Sequence, residues 1–247
     1  PVMIEVPLDV MGEDVPDDWV HVPAFKAKSA PDPSDVKEAA ALLAGADHPV
    51  IYAGQGIHYA KAWKELKELA EQWNIPVTTS IEGKSAFPED HPLSLGSGGR
   101  ANSRPVKRYL EESDLILGLG VSFALTAFGV PMPPGKKIIH ATLDPMDLNK
   151  DVPADIGLIG DAKLTLAALN SELSNADNSK AAARANEPEK INELKEEWMQ
   201  EWLPKLTNNE APINPYRVVA ELNQLVDKEK VVITHDAGSP RDQITPF

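Results

Sequence analysis

The sequence predicts an α/β fold: a Rossmann-like, doubly wound and mostly parallel sheet of about five or six strands with helices on both faces. Three observations carry that expectation. Apolar runs of strand length alternate with amphipathic helical stretches throughout residues 36–172. Two of those runs, VIYA at 50–53 and DLILGL at 114–119, are apolar on both faces, as strands of a covered parallel sheet are. Gly54-Gln55-Gly56 then stands between a strand and a helix, where such sheets turn toward ligands.

Taken in order, residues 1–10 read as a strand, followed by a Pro- and Asp-rich connector to about residue 34. Ser34 or Asp35 caps a helix over 36–45, with Gly45 as its C-terminal stop. After the strand at 50–53, a helix over 59–74 puts Ala62, Leu66, Leu69, Ala70 and Trp73 on one stripe. Strands at 75–79, 114–119, 137–143 and 156–160 follow, with a helix over 103–111 between the first two. A helix over 162–173 closes the unit, and Asp161 before it reads as its cap. Ser, Asn and Ala dominate 174–186, which reads as a linker or poorly ordered loop. In the next helix Ile191, Leu194, Trp198, Trp202 and Leu206 share a face that must dock. A helix over 215–226 and a strand over 231–234 end the chain.

Composition narrows the function. Among 247 residues, 38 acidic against 24 basic side chains give a net charge of −14. That balance argues against nucleic acid or an anionic membrane as main partner. No cysteine is present, so thiolate metal sites and nucleophiles are excluded. No apolar run approaches the roughly 20 residues of a bilayer span. A cytoplasmic location is the natural expectation. Both ends read as cut, since the chain opens inside one apolar run and stops just past another.

Candidate sites are few. Gly54, Gln55 and Gly56 could let a ligand phosphate approach backbone amides, or the glycines could serve a tight turn alone. The dinucleotide fingerprint is incomplete: Tyr59 holds its third glycine position, and no acid ends the second strand. Asp144 ends a strand, where it could accept from a ribose hydroxyl or cap a turn. The six histidines show no metal-ligand spacing, and His140 reads as a packed core residue. Asp236-Ala237-Gly238-Ser239 could open an anion-binding turn.

These residues resemble a family. AGQG, LAEQWNIPVTTSIEGKSAFPEDHPLSLG, DLILGLGVSF, KKIIHATLDPMDLNK and IGDAKLTLAAL are similar to the central domain of thiamine-diphosphate-dependent enzymes, closest to acetolactate synthases. The resemblance implies that 1–33 end a pyrimidine-binding domain and its linker, and that 34–174 are the central domain. It further implies a linker and amphipathic helix at 175–210 and the start of a diphosphate-binding domain at 211–247. The implied parent is a carboligase or decarboxylase acting on 2-oxo acids or related acyl donors, using thiamine diphosphate and magnesium as a homodimer or homotetramer. Its catalytic glutamate and metal motif would fall outside this chain, which is expected to be inactive alone.

The resemblance also brings FAD or ADP to the central domain, aligned with Gly54, Gly56 and Asp144, and places Gly238 and Ser239 beside the diphosphate. Two departures weigh against FAD. Gly96-Ser97-Gly98-Gly99-Arg100 replaces a Gly-Met-His-Gly segment, and Ser122 stands where flavin-binding relatives have arginine. Arg100 or Arg104 is the available substitute cation. The alternative is a free-standing domain that binds FAD, ADP or NAD, or one that is purely structural.

Overall fold

The computed structural model describes residues 3–23, 25, 27–236 and 238–247. Six parallel strands form one sheet in the order β3-β2-β1-β4-β5-β6. They are β1 Pro49–Ala53, β2 Val77–Thr79, β3 Ser94–Ser97, β4 Leu115–Leu119, β5 Lys137–Thr142 and β6 Ile156–Ile159. Successive strand residues point to opposite faces, and every residue of β1, β2 and β4 is buried. The sheet is therefore covered on both sides, as the unbroken apolar runs predict. The chain runs outward from β1 to β3 and then returns to add β4 on the other side of β1. That reversal lies between β1 and β4.

Helix α1 (Pro33–Gly45) buries Val36, Ala39, Ala40 and Leu43. It starts earlier than expected. Pro33 needs no amide partner at the first helical position, so Asp32, rather than Ser34 or Asp35, becomes the cap and accepts from the Ser34 amide at 2.8 Å. Gly45 is the last helical residue, and Ala46 follows in extended conformation. The single helix expected over 59–74 is two, α2 (Gly56–Ala60) and α3 (Trp63–Trp73), divided by Lys61 at φ 54°. Trp63 Nε1 donates to His58 Nδ1 at 2.9 Å across the break. Strand β3 was not expected, because SLGS is short and polar and carries Gly96 at φ 94°, beside a register shift against β2.

Helix α4 (Arg104–Glu112) leads into β4, and α5 (Ala162–Leu173) follows β6. Asp161 caps α5 as read from sequence, accepting from Lys163 and Leu164 amides at 3.1 and 3.2 Å. The expected linker at 174–186 is instead docked. It contains α6 (Ser179–Ala183), and Arg184 behind it is only 4% exposed. Helix α7 (Glu187–Thr207) buries Ile191, Leu194, Trp198 and Leu206 as predicted, while Trp202 is half-buried between Trp198 and Tyr216. Tyr216 lies on α8 (Pro215–Leu225), and Phe247, which follows α9 (Ser239–Ile244), completes the aromatic cluster.

The two terminal strands do not form. Residues 3–9 lack a ladder partner and lead to a short 3-10 turn at Val10–Gly12, with Met3, Ile4 and Leu8 exposed. Residues 231–234 likewise run without a partner, and Val232 is 91% exposed. A lone strand leaves its amides and carbonyls unpaired, so β propensity alone does not make one. Pro1 and Val2, also within the first expected strand, lie outside the described residues.

Candidate functional site

Parallel sheets bind ligands beyond the carboxyl ends of their strands where strand order reverses. Here a cavity of about 450 Å³ occupies that place. Gln55 and Gly56 after β1, Gly120 to Met132 after β4 and Asp144 and Asp147 after β5 contribute to its walls. Gln55, Gly56 and Asp144, named from sequence, therefore share one crevice. Gly54 lies beneath it, fully in the core. Gly238 and Ser239 do not line it; they begin the six-residue α9, with Gly238 at φ 90°. Ala237 of that turn lies outside the described residues.

The glycine turn is spent on packing. Gly54 N donates to Leu119 O at 2.9 Å and Gly56 N to Gly120 O at 3.0 Å. Ile57 and His58 amides donate to Gly54 and Gln55 carbonyls. A Cβ on Gly54 would stand 2.4 Å from Gly120 O, and one on Gly56 2.6 Å from Gly120 Cα. Gly120 itself has φ +61°. Both glycines are thus needed for the contact of the β1 and β4 turns. The amides of Gly56, Ile57 and His58 face protein carbonyls, not a ligand.

Sequence reasoning missed the acidic character of the crevice. Glu82 and Asp147 join Asp144 in its lining, and no lysine, arginine or histidine lines it among the described residues. Asp144 behaves as a turn residue, accepting from Met146 N at 2.9 Å. Tyr52 on the floor stacks with Phe123 at 5.9 Å. Burial first, and then the charge of Glu82, push the Tyr52 hydroxyl well above its ordinary range. On the same loop, the Val121 carbonyl accepts from His140 Nε2 at 2.8 Å, and His140 Nδ1 is buried without a partner. Burial lowers the His140 pKa, so the ring is held neutral as a Nε2–H donor. The signal for Glu82 and Asp147 was absent because each reaches the crevice only through a loop following a strand.

GKSAFPEDHP is a structural loop. A Cβ on Gly83 would meet Ala53 O at 2.5 Å, so the loop lies directly on the end of β1. Lys84 Nζ clasps both carboxylate oxygens of Glu89 at 2.6 and 2.7 Å, and Glu89 also accepts from Ser97 Oγ on β3. Phe87 is 1% exposed and meets the His91 ring edge-on at 4.8 Å. His91 Nδ1 accepts from Leu93 N, which leaves Nε2–H to face Glu71 at 3.1 Å.

The crevice does not fit a nucleotide diphosphate. The Gly54, Gly56, Ile57 and His58 amides are paired internally, and its charged lining is carboxylate. The two arginines available as substitutes are not in the lining, and Arg104 pairs with Glu201 on α7. Nor do the described residues bring together three or more His, Asp or Glu that could hold a metal ion. No helix among the described residues is long and apolar enough to cross a membrane.

Comparison with known proteins gives a consistent result. The family model for the thiamine pyrophosphate enzyme central domain matches residues 36–169. The probable acetolactate synthase large subunit of Methanocaldococcus jannaschii is 34% identical over 251 residues, covering 96% of this chain and 41% of that protein. An acetolactate synthase of Mycobacterium bovis is 34% identical over 173 residues, covering 68% of this chain and 28% of its own length. In fold, the chain superposes on benzoylformate decarboxylase from Polynucleobacter necessarius with a TM-score of 0.69 at 23% identity, covering 97% of this chain and 42% of that one. The chain thus spans about two fifths of the length of the first of these relatives.

Proposed function

The chain belongs to the thiamine pyrophosphate enzymes, whose central domain it carries, and on that premise we propose that it serves a carboligase or decarboxylase acting on 2-oxo acids or related acyl donors. The reading is acetolactate synthase-like, a transferase or lyase, supported by relatives of that name that align with 96% of the chain. Thiamine diphosphate and magnesium would be the cofactors of the whole enzyme, a cytoplasmic homodimer or homotetramer with a small-molecule substrate. The cofactor supplies a nucleophilic carbon that the twenty amino acids lack. No group of described residues suits its metal, so residues 36–169 are proposed to support the chemistry rather than perform it.

The observation that carries this role is the fate of the GKSAFPEDHP segment. Its glycine and its phenylalanine are buried against β1 and the core, and its exposed ion pair reaches Ser97 on β3. A segment so identified with the family and so anchored to β1, β3 and the core builds a scaffold. Helix α7 extends that scaffold: its Trp198 and Trp202 join α8 and Phe247 in one aromatic cluster. In this proposal the cluster ties the central domain to the segment reading as the start of a diphosphate domain.

The test is turnover by the gene product that contains this chain. Stripped of thiamine diphosphate and magnesium, it should leave a panel of 2-oxo acids untouched, and restoring both should restore consumption. Activity on a 2-oxo acid that ignores removal of the cofactor, or no activity in its presence, contradicts the proposal.

A further inference from the structure

We infer that the crevice at the β1/β4 switch point rejects phosphate-bearing nucleotides, FAD and ADP included, although its place in the fold is where such ligands bind. A site for a nucleoside diphosphate must replace the hydration of two phosphate groups. It does so with free backbone amides, with cationic side chains, or with both. Among the described residues no cationic side chain lines the crevice, and the Gly56, Ile57 and His58 amides beside it are taken up by protein carbonyls.

The amides are committed first. Gly56 N is held by Gly120 O, and the next two amides close the first turn of α2. Freeing Gly56 N would require parting it from Gly120, against which it packs closely enough to exclude a Cβ. Helix α2 is also only five residues long, and its end is fixed by the reversal at Lys61. Its dipole is correspondingly short.

Charge then opposes the ligand. Glu82, Asp144 and Asp147 come from the loops after β2 and β5, so a diphosphate entering between them meets carboxylates on two sides. Like charges oppose one another, so each carboxylate raises the cost of bringing a diphosphate there. No guanidinium group among the described residues lines the crevice. Arg104 pairs with Glu201, and Arg241 lies 4.3 Å over the Phe128 ring while pairing with Asp242 at 3.0 Å. Ser122, which lines the crevice and is exposed, supplies a hydroxyl but no cation. Tyr52 on the floor is buried, and burial and then the charge of Glu82 raise its pKa.

The inference stands on the crevice alone, whether or not the thiamine assignment does. Titration of the 247-residue chain with FAD and with ADP, followed by calorimetry and flavin fluorescence, tests it. No saturable binding up to about 1 mM is expected, equivalent to less than about 4 kcal/mol. The triple variant Glu82→Gln, Asp147→Asn, Ser122→Arg should bind at least about tenfold more tightly and reach saturation. The single variant Ser122→Arg, an exposed change, should gain a smaller part of that effect if the triple fails to fold. Stoichiometric binding of either nucleotide by the unaltered chain at micromolar concentration overturns the inference. Folded variants that gain nothing overturn the electrostatic argument for it.

Discussion

Gly56 and Gly120 meet backbone to backbone: the Gly56 amide donates to the Gly120 carbonyl at 3.0 Å, and a Cβ on Gly56 would lie 2.6 Å from Gly120 Cα. This contact joins the turn after β1 to the turn after β4 and sets the floor of the crevice. It follows that Gly56→Ala should destabilise the chain by about 1–3 kcal/mol through overpacking. Gly45→Ala is the control, since nothing lies within 4 Å of a Cβ there. It should be neutral or stabilising by up to about 1 kcal/mol, because alanine favours the helix. Urea denaturation of both variants checks the pair.

Burial holds the His140 pKa below its ordinary 6.5, with Nδ1 unpartnered and Nε2–H on the Val121 carbonyl. The unfolded chain therefore binds a proton at higher pH than the folded one. Stability from this group is fully present above pH 6.5 and is lost as pH falls from there through the lower folded pKa. Urea midpoints should decline between about pH 7 and 5 more steeply for the unaltered chain than for His140→Gln. Equal slopes would show that the ring is not held neutral.

Arg184 sits within the stretch expected to be a linker, just after α6, and donates to Ala46 O at 3.0 Å and Trp73 O at 2.9 Å. Those carbonyls end α1 and α3, so one planar cation caps two helices at once. Burial opposes its charge, and Glu187, Asp114 and Asp47 act the other way. Arg184→Met should cost about 2–3 kcal/mol, and Arg184→Lys should recover little, because an ammonium lacks the fork that reaches both carbonyls. Thermal melting and amide exchange in α6 provide the readouts.

The family-identifying loop should owe its stability to Phe87, not to its ion pair. Lys84 and Glu89 are 44% and 40% exposed, so solvent screens their attraction, and Lys84→Met should change stability by less than about 1 kcal/mol. Phe87 is 1% exposed, and Phe87→Ala should cost about 3–5 kcal/mol. Denaturation of the two variants side by side decides which residue holds the loop.

Much of the sheet was legible because β1 and β4 are continuous, fully buried apolar runs, while β2, β5 and β6 are short, mostly buried and rich in β-branched residues. The edge strand β3 was not, since SLGS offers neither apolarity nor β-branching. The reversal at Lys61 was hidden for another reason. Lysine carries no left-handed preference, and the break is closed by Lys61 N on His58 O and Ala62 N on Ile57 O, a turn that no glycine announces. Residues 1–10 and 231–234 look like strands by composition, yet a strand is completed by its neighbour, and among the described residues they have none. In the crevice, Gly54, Gly56 and Asp144 were visible as residue types, but their use was not. Whether a glycine amide faces a ligand or a carbonyl depends on Gly120, some sixty residues later in the chain. The motif gave the position of the crevice; the long-range packing decided its chemistry.

The central claim is that this domain supports thiamine-dependent chemistry as a scaffold whose crevice takes no nucleotide. It is tested most directly by 2-oxo acid turnover of the gene product saturated with thiamine diphosphate and magnesium, measured with and without FAD or ADP. Equal rates in all three conditions, from protein showing no flavin absorbance, are the predicted result. Turnover that appears only when FAD or ADP is added would contradict it.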